Sequence, residues 1–77
     1  GGPEEYTLTI QSDSGGSDFR FRSYGNCEPF FIKNTDGSCC LYLFTSLEND
    51  YSVLQIYEIK DSDVIPASRP ILSGTGL

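Results

Sequence analysis

Three cysteines, a handful of closely spaced carboxylates and the complete lack of histidine define what chemistry this 77-residue chain can do. Without His there is no imidazole to act as a base near neutral pH, so Ser-His-Asp and Cys-His arrangements are excluded. The stretch Ser12-Asp13-Ser14-Gly15-Gly16 sets a serine beside a carboxylate, but with no His its composition reads as a flexible loop. Asp13 with Asp18, and Asp61 with Asp63, are carboxylate pairs of the kind that perform acid–base work in glycosidases. Both pairs lie in loop-like stretches with no neighbouring aromatic platform, so they read as solvated charges. Neither stretch follows the twelve-residue calcium-loop pattern. Gly15-Gly16 and Gly74-Thr75-Gly76 lack the spacing and the lysine of a phosphate-binding loop. No catalytic residue, metal site or cofactor is expected, and the chain is read as not an enzyme.

Cys27, Cys39 and Cys40 are the disulfide candidates. A metal site is poor, with three thiolates, no His and no Cys-x-x-Cys spacing. Three cysteines in so short a chain point weakly to an oxidising compartment. Asn34-Thr35-Asp36-Gly37 reads as a hairpin turn, with Gly37 supplying the positive φ of a bulged turn. If Lys33 then faces Ser38, Phe31 faces Cys40 and Cys27 falls opposite Phe44. Phe44 is about four residues along the strand from Cys40, roughly 13 Å at about 3.3 Å per residue, while a disulfide needs Cα atoms within about 7 Å. A Cys27 disulfide to either neighbour therefore requires Glu28-Pro29 to bend the chain back. Three free thiols, and an interchain bond or dimer, are the other outcomes. Cys39 and Cys40 point to opposite faces of their strand.

The elements that must position these groups are strands. Tyr6, Leu8 and Ile10 alternate with Thr7, Thr9 and Gln11, and Phe19 and Phe21 alternate with Arg20 and Arg22. Residues 30–32 form a short apolar run. Residues 39–44 are apolar on both faces, as a central strand would be. Tyr51, Val53, Gln55, Tyr57 and Ile59 share one side of the next strand, with Leu54 and Ile56 on the other. Its β-branched and aromatic content favours strand over a helix across 46–59. Ile71-Leu72 closes the series, and Pro66 and Pro70 exclude a central strand across 66–70. The fold class is all-β: a small antiparallel meander of five to six strands closed as a barrel or sandwich. Residues 1–77 form a single domain, with 1–5 a flexible or cloning-derived start and 73–77 a flexible tail.

Eleven acidic residues against five basic ones give a net charge of −6, which repels phosphate backbones and disfavours nucleic acid. No apolar run approaches the roughly 18 residues of a membrane span, and no signal peptide is present, so the chain reads as a mature form or a fragment. Small size, β pattern, cysteines and missing catalytic groups point to a secreted protein-interaction module, of inhibitor, toxin-like subunit or effector type. Its partner is another protein. It would be met by a strand edge or by loops carrying Asp13, Asp18, Glu48, Asn49, Asp50, Asp61 and Asp63. The alternative is a cytoplasmic acidic adaptor or inhibitor that occupies a basic site.

Overall fold

The computed structural model describes residues 2–13, 15–48 and 51–73, and their side chains apart from those of Ser12 and Ser73. The described residues are all-β. Strands β1 (Glu4–Ser12) and β2 (Gly15–Ser23) form a two-stranded antiparallel sheet. Strands β3 (Cys27–Lys33), β4 (Cys39–Ser46), β5 (Ser52–Lys60), β6 (Asp63–Pro66) and β7 (Ile71–Ser73) form a second, five-stranded one. Its order is β3-β4-β5-β6, with β7 paired to the first residues of β5 and β6 to the last. Thus β6 and β7 share one edge, and β3 is the other. Among the described residues no closed barrel is formed.

Register assigns every side chain to a face. Cys39, Leu41, Leu43 and Thr45 of β4 lie opposite Ile59, Tyr57, Gln55 and Val53 of β5. Together they form the inner face, over which the β1–β2 hairpin is laid. The buried apolar residues are Ile10, Leu41 and Leu43, each worth about 1.5–3 kcal/mol on transfer from water. Rings continue the contact: Tyr6 stacks on Phe21 at 5.7 Å, Phe21 on Phe19 at 5.9 Å, and Phe19 meets Tyr57 edge-on at 4.9 Å.

Serines fasten the hairpin at both ends. The buried Ser23 hydroxyl donates to Asn26 O at 2.6 Å and accepts from the Ser46 amide at 2.8 Å. At the other end Ser17 donates to the carbonyl of Ser62, and the Ser62 hydroxyl donates to Gly15 O at 3.1 Å.

Several expectations are corrected. The stretch 12–18 is not a long loop: Ser12 pairs with Gly15, and β2 begins there. Glu4 and Glu5 are not a loose start, since they pair with Ser23 and Arg22. The stretch 61–70 is not one loop either. Asp61 (φ 50°) and Ser62 (φ 75°) make a tight type I′ reversal, and β6 follows at once. Residues 74–77 of the expected tail lie outside the described residues.

Between β6 and β7, Ser68 stands in for the interrupted ladder. Its hydroxyl accepts from the Ile56 amide at 3.1 Å, the Ala67 amide donates to Ile56 O at 2.8 Å, and Gln55 Nε2 donates to Ser68 O. Ser68→Ala removes the acceptor of an interior-strand amide and is expected to cost about 1 kcal/mol. Leu41→Ala, at a fully buried site, is expected to cost about 2–5 kcal/mol. Urea denaturation of both variants checks the order.

Candidate functional site

The three thiols are free, so the expected Cys27 disulfide is not formed. The reason is register. The turn after β3 is bulged: Asn34 donates to Ser38 O at 2.8 Å, Gly37 donates to Asn34 O at 3.0 Å, and Gly37 has φ 89°. The bulge adds one residue, so Lys33 faces Cys39 and Cys27 faces Thr45. Five strand positions, roughly 16 Å, now separate Cys27 from the level of Cys40. Pro29 does not fold the chain back; β3 runs straight through it. Cys27 and Cys39 lie on the inner face. Cys40 lies on the outer one, between Ile32 and Glu58, with Asn34 Nδ2 at 3.5 Å from its sulfur.

The acidic candidates are not assembled into a site. Asp18 lies on the exposed side of the hairpin, where Thr9 donates to it at 3.1 Å. Asp13 and Asp61 sit in turns that the Ser17–Ser62–Gly15 bonds bring to one end of the molecule. Asp63 pairs across from Lys60. Glu48 is exposed after β4, while Asn49 and Asp50 lie outside the described residues. Among the described residues no three of His, Cys, Asp or Glu converge as a metal site.

What the structure does assemble is apolar. The outer face of the five-stranded sheet reads as three successive rows across the strands. The first holds Glu28, Phe44, Leu54 and Ile71, the second Phe30, Tyr42 and Ile56, the third Ile32, Cys40, Glu58 and Ile65. Phe30 and Phe44 meet edge-on at 5.9 Å. Among the described residues no strand is laid over this face. Its charges are Glu28, at one corner, and Glu58, between Cys40 and Ile65 in the third row and paired with Lys60 at 3.3 Å. Beside Phe30 and Phe44 the face runs into an open cleft of about 520 Å³ bordered by Asn26, Glu28, Ser46 and Ser52.

The loop carboxylates that stand out in the sequence do not point to this face. The signal was present: residues 39–44 are apolar on both sides, and Leu54 and Ile56 face away from Tyr57. A strand apolar on both faces needs a cover on both.

No protein family, curated protein or solved structure matches the chain. Among the described residues no helix is long and apolar enough to cross a membrane.

Three groups titrate out of the ordinary, one being the Tyr6 phenol, raised by desolvation and by the neighbouring Glu4 carboxylate. Bonds from the Ser38 hydroxyl (2.6 Å) and amide (2.9 Å) hold the Asp36 carboxyl below its usual range. Burial pushes the Tyr57 phenol above its usual value. For Asp36, whose folded value is the lower one, stabilisation is complete above the unfolded carboxylate pKa and is lost as pH falls through the folded value. Tyr57 has the opposite sign, so its contribution holds below about pH 10 and declines above it. Chemical denaturation between pH 5 and 2, expressed as approximate bounds of the carboxylate range, is expected to show a shallower loss of stability for Asp36→Asn than for the parent chain. Titration of unreduced, denatured protein is expected to find all three thiols.

Proposed function

We propose that this chain is a non-catalytic protein-interaction module whose docking surface is the outer face of the five-stranded sheet. One observation carries the reading: Phe30, Ile32, Phe44, Ile65 and Ile71 are each 39–51% exposed and all share that face. Scattered exposed apolar residues are ordinary, but a contiguous patch marks an interaction surface. The five alone expose on the order of 400 Å² of apolar surface, taking about 150–250 Å² for a large side chain. A second layer on this face would complete a sandwich around β4 and β5. The lack of His, and acidic groups that do not converge, support a binding role over turnover.

The secreted form of this reading draws on small size and cysteine content. The three free thiols favour the second form, an intracellular adaptor or inhibitor with its cysteines reduced. There, Glu28 beside the aromatic pair suits a partner that brings a basic side chain to the cleft, through charge and ring together. The net charge of −6 works in the same direction and against nucleic acid.

A photo-crosslinking side chain at position 44 is expected to bond a polypeptide, whereas the same group at position 20, on the exposed side of the hairpin, is not. Equal crosslinking from both positions, or none from position 44, would remove the docking face.

A further inference from the structure

The core of the described residues is small for a chain of this length. The buried apolar set is Ile10, Leu41 and Leu43, all on the hairpin side of the sheet. The chain exposes 5539 Å², against roughly 4,700 Å² for an average folded monomer of 8.5 kDa.

The edges of the sheet fit pairing through the face better than pairing edge to edge. The Asn34–Ser38 bond sets the ladder parity, so Glu28, Phe30 and Ile32 bond to β4 while Pro29 and Phe31 turn their backbones outward. Pro29 has no N–H, which leaves a gap in the middle of the free edge. The opposite edge is broken between β6 and β7. The five-stranded sheet therefore offers its face more readily than its edges.

We propose that the outer face is where two copies of this chain pair face to face. The proposal rests on the reading of that face as a docking surface, and names its occupant. Two such faces together cover on the order of 800 Å² from the five most exposed side chains alone. The half-buried Tyr42, Leu54 and Ile56 bring the total towards the roughly 1,200 Å² at which stable interfaces begin. A domain with so few buried residues needs its cover from synthesis onward, and a second copy is always present in equal amount.

Sedimentation equilibrium from micromolar to near-millimolar protein is expected to give twice the 8.5 kDa chain mass. Phe44→Glu is expected to weaken pairing by about thirtyfold or more, the scale of an interface hot spot, with an unchanged far-ultraviolet spectrum. Thr7→Glu, on the exposed side of the hairpin, should leave the dimer intact. Where Phe44→Glu does not fold, Ile65→Lys on the short edge strand takes its place. Thiol labelling gives a second readout in the parent chain. Modification of Cys40 should slow as protein concentration rises, while Cys39, on the inner face, keeps one rate. A single-chain mass at every concentration, an assembly larger than a dimer, or a dimer that survives both charge substitutions would each overturn the proposal. A single-chain mass together with position-44 crosslinks to a different polypeptide would remove the second copy and keep the docking face.

Discussion

Strand β4 depends on burial that one hairpin can only half provide. Leu41 and Leu43 point inward and are closed off, while Tyr42 and Phe44, one residue along, point outward from the same strand. Because strand side chains alternate, an interior strand apolar at every position presents two apolar faces. The β1–β2 hairpin covers the inner one through Ile10 and the ring series ending at Tyr57. The position of the candidate site follows from the remaining face.

Polar contacts around this arrangement fix alignment more than they add stability. The Lys60–Glu58 pair is exposed and contributes little. The serine bonds act differently, because they sit where hairpin and sheet must be held in one alignment. Ser23, 1% exposed, joins the end of β2 to Asn26 and Ser46. Ser62 holds the far end and keeps a left-handed backbone at a residue with a side chain, a conformation that needs surrounding contacts to persist. The two anchors fix which residues of the hairpin face Leu41 and Leu43.

Much of the fold was legible in the sequence. Period-2 alternation placed β1, β2 and β5, the two-sided apolar run placed β4 in the interior, and Asn34–Gly37 gave the bulged turn. Strand β6 was not legible, because its turn is made by Asp61 and Ser62 without glycine and is secured by contacts from the distant hairpin. The cysteine geometry failed by one residue, since a bulge shifts the register it sits in. That single step moves Cys39 from Ile32 to Lys33 and Cys40 from Phe31 to Ile32, and lengthens the path from Cys27. The candidate site was legible only as a pattern: the sequence shows that Leu54 and Ile56 face away from Tyr57, but pattern alone does not count the layers that fold over them.

Pro29 has a consequence beyond the molecule itself. Chains that lie strand against strand grow into fibrils when each edge offers an unbroken row of donors and acceptors to the next. Here the edge strand with the most exposed aromatic residues, carrying Phe30 and Phe31, loses a donor at its middle. The same ring that lets β3 remain an edge also interrupts the template for a cross-β stack. A small β protein with this much exposed apolar surface thereby keeps a barrier to growth along its β3 edge.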